Sequence, residues 1–327
     1  MEVTEKENPL FWTLRNIEPT YWDEYIATRP VYDEKIFQRI YDYHASHSQP
    51  RLAALDIGTG SGSAIWPLTK QFGHVVASDN DPISLTFAQR KYLTLPSGRL
   101  SYTLSSGEDL LQHHLPGSFD LVTCAETFPL MDTQTALDNI STLLRPGGTL
   151  AVWFYGPPFF TEAGFAPRCQ EILDSIMDHN FRPIVSGGGE ARRKSWKRAA
   201  DGKFSWLDYI PFASDTWSDI RRHKWNTHAR LSFFTRRACD FPVEPVCNVG
   251  PEEAVSTEQD LAFWEVSWDV EMLRKFVRAS FPKPNELTEP DNTMDGLFEQ
   301  LARAMGEHNA QRKLSWPAVL ILAEKSG

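Results

Sequence analysis

Apolar positions along the chain fall into two rhythms. Between Ile36 and Tyr43 they stand at 36, 37, 40, 41 and 43, a single helical stripe, and residues 1–50 as a whole read as helical and rich in aromatics, among them Phe11 and Trp12. From residue 52 the pattern changes to short apolar runs: 52–57, 75–78, 100–104, 120–125 and 149–154. Runs of this length, ended by Gly, Asp or Ser, suit strands buried on both faces. The intervening segments around 62–71, 82–93 and 133–144 have helical spacing. Strand–helix alternation over about a hundred residues predicts βαβ units and a parallel sheet.

The rhythm breaks after 155. Gly164 to Asn180 carries a stripe at 165, 169, 172, 173, 176 and 177, Val270 to Phe281 and Met294 to His308 read as helices, and 316–323 reads as a last apolar strand. Residues 182–260 read as irregular, rich in Trp, Arg and Pro. A sheet that begins at 52 and regains a strand near 317 encloses a long insertion, expected to cover the sheet's carboxyl edge. Eight of the eleven Trp lie beyond residue 150, so the insertion is expected to supply apolar walls.

Composition narrows the function. Acids outnumber bases 43 to 33, for a formal charge of −10, which disfavours a nucleic-acid partner. No apolar run approaches the roughly 18–20 residues a membrane helix needs, and the charged start lacks a signal-peptide core. A cytoplasmic protein without membrane contact is the expectation. Cys124, Cys169, Cys239 and Cys247 form no CxxC pair, and no metal-ligand spacing is present.

The most informative stretch is Asp56-Ile57-Gly58-Thr59-Gly60-Ser61-Gly62. Glycines at alternate positions after a strand allow a tight turn and close approach to a ligand. Asp79, closing the second strand, is placed to accept the hydroxyls of a ribose. A dinucleotide loop would read G-x-G-x-x-G, and here the third glycine comes one residue early. Asp56 would repel a pyrophosphate but attract an ammonium group. No GK[ST] follows, which excludes a P-loop. The residues favour S-adenosylmethionine over NAD, with a ligand-free glycine loop as the remaining alternative.

Five segments in order carry a family resemblance: 55–62, Ser78-Asp79-Asn80-Asp81, Ser106-Gly107-Glu108-Asp109-Leu110, Phe119 to Ala125, and Leu143 to Leu150 with Arg145-Pro146-Gly147-Gly148. Together they resemble the class I S-adenosylmethionine-dependent methyltransferases over about residues 52–155. The branch most similar is the small-molecule, trans-aconitate methyltransferase-like group found in fungi. Softer matches are Tyr21 to Tyr25 with Arg29 to Tyr32, Ile220 to Asn226, and Trp316 to Leu320.

The resemblance implies an α/β, Rossmann-like class I methyltransferase sheet with N-terminal helices and an inserted cap. Its division would be a helical segment at 1–50 and a methyltransferase domain at 51–327, holding a cap at about 156–260. It implies donor contacts from Gly58, Thr59 and Gly60, with Asp56 near the ammonium group. Asp79 would hold the ribose and Asn80 flank the adenine. Ser106, Gly107 and Glu108 would meet the adenine edge, Ala125 and Glu126 would lie under the methionine, and Tyr25 and Arg29 would close the site.

One departure stands out. Relatives often carry a His-Trp pair after the fourth strand, where this chain reads Thr127-Phe128-Pro129-Leu130-Met131. Without that imidazole, Glu126 is the best-placed candidate base, though donor binding or a helix cap suits it better, and His223 or His228 is a further candidate. His223 and His228 read as surface residues, and Arg192-Arg193-Lys194 with Lys197 and Arg198 as a mobile basic loop after Gly187-Gly188-Gly189. Asn139-Ile140-Ser141 reads as a chance glycosylation triplet. Trp196, Trp206, Tyr209, Phe212, Trp217, Trp225, Phe233 and Phe234 could wall an acceptor pocket or pack the cap's own core.

The expected activity is methyl transfer to a small organic acceptor, by default O-methylation in secondary metabolism. The alternatives are a cyclase that only holds the cofactor, a non-catalytic cofactor-binding regulator, and a macromolecule methyltransferase, the last disfavoured by charge. Oligomeric state is not readable.

Overall fold

The computed structural model describes residues 21–32, 34–47, 50–187, 189–281, 292–306 and 309–327. The helical reading of 1–20, with Phe11 and Trp12, lies outside the described residues, as do Gly188 and His308. Helix α1 (Tyr21–Thr28) precedes α2 (Glu34–Ser46), whose stripe Ile36, Phe37, Ile40, Tyr41 and Tyr43 is buried. Each such side chain contributes about 1.5–3 kcal/mol when fully removed from water.

The alternating runs form β1 (Ala53–Ile57), β2 (His74–Asp79), β3 (Leu100–Leu104), β4 (Phe119–Ala125) and β5 (Leu144–Tyr155), parallel and ordered β3-β2-β1-β4-β5. Helices α3 (Ile65–Gln71), α4 (Pro82–Lys91) and α5 (Thr133–Leu143) lie between successive strands in sequence. Asp81 caps α4 by accepting from Ser84 N at 3.0 Å, and Asp132 caps α5 through Thr135 N at 3.1 Å. At the amino end of the sheet, buried Asp120 accepts from Leu52 N and Ala53 N at 2.7 and 2.8 Å and pairs with Arg145. That carboxylate ties β4 to the start of β1.

The second half contributes β6 (Phe159–Phe160), α6 (Ala166–Val185), α7 (Glu190–Phe204), β7 (Trp217–Trp225), β8 (Ala254–Glu258), β9 (Val266–Trp268), α8 (Val270–Ala279), α9 (Asn292–Met305), β10 (Arg312–Ser315) and β11 (Ala318–Lys325). β11 lies antiparallel between β5 and β7, so that Leu320 faces Trp153 on one side and His223 on the other. The eight-stranded sheet ends β5-β11-β7-β8, and β6, β10 and β9 make a small antiparallel sheet beside it.

The stretch 182–260 therefore differs from its irregular reading. It holds the end of α6, all of α7, and two strands that widen the main sheet. β7 hid because charged residues interrupt it. Arg222 is 0% exposed in mid-strand, with its donors spent on Glu253 Oε2 (2.5 Å), Leu207 O (3.0 Å) and Ile210 O (2.9 Å). A buried guanidinium tolerates this place only because every side of it is answered. Among the described residues no helix is long and apolar enough to cross a membrane.

Candidate active site

The loop after β1 turns through the left-handed region at Gly58 (φ +68°). A Cβ at Gly58 would stand 2.3 Å from Thr127 Oγ1, so both the backbone and the available space demand glycine. Thr59 N donates to Ser78 O at 2.9 Å, and Gly60 N donates to Asp79 Oδ2 at 2.8 Å. The loop is thus stitched to the end of β2. Asp56, 1% exposed, accepts from Thr59 Oγ1 and Thr123 Oγ1, both at 2.7 Å. Burial raises the Asp56 carboxyl to about 6 against the pull of those hydroxyls. Burial likewise raises Asp79 to about 6, although the amides of Asp81 and Gly60 donate to it.

Beyond β3, Ser106 Oγ donates to Asp109 Oδ2 at 2.8 Å, and Glu108 Oε1 accepts from Asp132 N at 2.8 Å. Asn139 is buried in α5 and donates to Glu108 O at 2.6 Å, which makes the glycosylation triplet a structural element. Asn80 stands exposed at the rim. Where β4 ends, Glu126 adopts φ +60°, an uncommon conformation for a residue with a Cβ. Its amide donates to Trp153 O at 2.9 Å, and its Oε1 accepts from Tyr155 N at 2.5 Å. Burial raises its carboxyl to about 8, while Arg29 and Lys203 oppose that shift. Thr127 to Met131 turns once as a short 3-10 segment, with Pro129 buried.

Tyr25 and Arg29 reach the same space from the N-terminal side. The Arg29 guanidinium lies 4.6 Å from the Tyr25 ring centre and donates to Ala279 O and Ser280 O at 3.1 and 3.0 Å. Glu24 pairs with Arg278 at 2.6 Å, so α1 is fastened across the end of α8. All thirteen residues expected to hold the donor line one cavity of about 390 Å³: Tyr25, Arg29, Asp56, Gly58, Thr59, Gly60, Asp79, Asn80, Ser106, Gly107, Glu108, Ala125 and Glu126.

The cavity has a second side that the sequence reading found only in part. Phe154, Phe181, Trp196, Phe233 and Phe281 line it together with Lys203. Of the eight aromatics named as possible walls, Trp196 and Phe233 line this cavity. Trp225 instead stacks on Phe263 at 4.9 Å, and Trp217 meets Phe212 at 5.7 Å, the two tryptophans standing at the ends of β7 in the main sheet. Phe154 ends a core strand, and Lys203 was passed over although α7 carries the signal. Trp196, Ala199, Ala200 and Lys203 share one buried helical face at spacings of three, four and seven.

The basic run is part of this helix and not a mobile loop: Arg193 bonds Asp240 at 3.2 Å, and Lys197 pairs with Asp201 and Glu244, both at 2.8 Å. His223 and His228 lie away from the cavity, bonded to Ser256 and Gln259 at 2.7 and 2.6 Å.

The donor set suits a phosphate-free cation. Asp56, Asp79, Glu108, Asp109 and Glu126 face the cavity against two bases, Arg29 and Lys203. The Gly60 amide, which a pyrophosphate would need, is already spent on Asp79. Acidic side chains in this number disfavour a diphosphate and suit a sulfonium with its ammonium tail.

Known proteins give the same picture. The family described as "Methyltransferase domain" matches residues 55–152. Methyltransferase pgmE of Aspergillus terreus is 38% identical, over 99% of this chain and 98% of its own length. Methyltransferase ptaI of Pestalotiopsis fici is 33% identical over 93% of each chain. Methyltransferase cfoB of Aspergillus candidus is 32% identical over 93% of this chain and 94% of its own. Among solved structures, one from Anaeromyxobacter dehalogenans, described as a type II methyltransferase, aligns with a TM-score of 0.51 at 17% identity. That alignment covers 90% of this chain and 97% of the other, and the likeness is one of fold.

Proposed function

This chain belongs to the S-adenosylmethionine-dependent methyltransferases, and from that premise we propose that it methylates an oxygen of a small, planar organic acceptor in secondary metabolism. The observation that carries this reading is the division of one cavity into an acidic side built on the glycine loop and an aromatic side built on α6, α7 and the segment around Phe233.

On the acidic side, Asp79 takes the ribose hydroxyls, and Asn80 flanks the adenine. Ser106, Gly107 and Glu108 meet the adenine edge. Gly58, Thr59 and Gly60 pass the methionine and ribose portions, and Asp56 supplies the negative field near the ammonium group. Ala125 and Glu126 lie under the methionine, while Tyr25 and Arg29 close the site. When bound, the donor supplies a methyl group on a good leaving group. The chain's own work is to hold an acceptor oxygen in line and exclude water. Well-oriented reactants can gain about 7–11 kcal/mol from such positioning. Ring faces suit the task, since they give a flat acceptor a large, rigid seat.

The test is titration calorimetry with S-adenosylmethionine, followed by incubation with methyl-labelled donor and a set of planar phenols. The label is expected on oxygen, read by carbon-13 NMR of the product. Label on nitrogen or carbon would overturn O-methylation, and failure to bind the donor would overturn the site assignment.

A further inference from the structure

Lys203 is 5% exposed, lies at the end of α7 and faces the cavity. Its Nζ stands 5.8, 5.4 and 5.3 Å from the ring centres of Phe154, Trp196 and Phe234. Among the described residues Nζ makes no hydrogen bond and no ion pair. An ammonium carries three N–H donors, and ring faces hold its charge without consuming them. Buried lysines are rare unless paired, because an unanswered charge away from water is costly.

Two other cations among the described residues meet that cost with hydrogen bonds inside the protein. Arg222 spends its donors on Glu253 and two carbonyls, and Arg29 binds the carbonyls of Ala279 and Ser280. Glu126 acts on Lys203 electrostatically across the cavity, yet its Oε1 is committed to the Tyr155 amide. Lys203 therefore has donors unspent, on the aromatic side of the site.

We propose that Lys203 is a catalytic residue that receives the acceptor oxygen to be methylated, and that the acceptor is a planar compound with an ionisable hydroxyl. The inference rests on the methyltransferase reading of the cavity. The ammonium first gives one proton to solvent, and the neutral amine so formed takes the hydroxyl proton at Nζ and is an ammonium again. The oxygen's electron pair forms the new O–C bond to the methyl carbon. The S–C bond of the donor breaks, and its electron pair stays on sulfur, which loses its positive charge. The ammonium then stands beside a neutral ether. This arrangement takes up the role of the missing imidazole after β4, from a different element.

The test uses the whole chain and two fluorescent probes, 2-naphthol and naphthalene, which differ only in the hydroxyl. The wild type is expected to bind 2-naphthol at least tenfold more tightly than naphthalene. Lys203→Met should bind the two alike, keep the wild-type dissociation constant for S-adenosylmethionine, and lose at least a hundredfold in kcat/KM for methylation of 2-naphthol. Lys203→Arg, which keeps the charge, should retain the binding preference and not the turnover.

Equal binding of the two probes by the wild type would overturn the proposal, as would a Lys203→Met variant that keeps the preference. Should Lys203→Met fail to fold, Trp196→Phe with Phe234→Leu displaces the ammonium instead and must reduce the preference by at least threefold. A chain that prefers 2-naphthol but binds no S-adenosylmethionine would refute the methyltransferase reading while leaving the lysine's role in acceptor binding intact.

Discussion

Two sides of one cavity are built by different means. Around the ends of β1, β2 and β4 the ligand space is bounded by main chain and short acids, each fixed by a neighbour's amide or hydroxyl. Around α7 it is bounded by rings, with Lys203 between them. The first side places its groups through backbone conformation, so a single methyl group in the wrong place is costly. The second places them by side-chain packing, which changes gradually with each substitution. A protein that keeps one donor and serves different acceptors can therefore vary the second side without disturbing the first.

The contrast can be broken most severely at Gly58. Gly58→Ala forces a Cβ into the Thr127 side chain at a positive φ. Strain of about 1–3 kcal/mol adds to that collision. We expect donor affinity by calorimetry to fall by about a hundredfold or more, while 2-naphthol still binds. Loss of both ligands together would mean that the two sides are not independent.

Asp79→Ala comes next. It removes the acceptor for the Gly60 and Asp81 amides as well as the proposed ribose contact. Donor binding should weaken by about 1–3 kcal/mol, the range for lost charge-assisted hydrogen bonds. An unchanged dissociation constant would remove Asp79 from the donor site.

The mildest perturbation is a change of pH. Asp56 and Asp79 both titrate near 6, above the usual carboxylate range. The folded, ligand-free chain binds protons there that the unfolded chain has already released. Stability from these groups is thus complete below about pH 4 and declines as pH rises through 6. Donor affinity runs the other way, because a cationic ligand needs the ionised carboxylates. Its dissociation constant should fall roughly tenfold per carboxylate engaged between pH 5 and 7. A flat profile, measured by calorimetry beside thermal unfolding, would show that neither acid senses the donor's charge.

The glycine-loop side was legible in the sequence because its function depends on local features. Gly58, Asp56 and Asp79 sit at strand ends, where alternate glycines after one apolar run and an acid closing the next mark the loop in the sequence. The aromatic side was legible only in part, because it is assembled from residues far apart in sequence: Phe154 from β5, Phe181 from α6, Lys203 from α7 and Phe281 after α8. Lys203 resembled the basic end of any helix, and only the apolar company at 196, 199 and 200 distinguishes it. β7 was missed for the complementary reason. Arg222 is charged in a strand whose burial becomes acceptable only through Glu253, which lies 31 residues away.

The position of β11 carries a consequence for biosynthesis. Residues 318–325 join β5 to β7, yet both of those partners are made well before them. A chain growing on the ribosome carries two unsatisfied strand borders until residue 325 has emerged. Such borders invite pairing with other nascent chains. The wide sheet thus closes from its middle, only after both flanking strands have been made, and the yield of active protein should depend on how long that gap stays open.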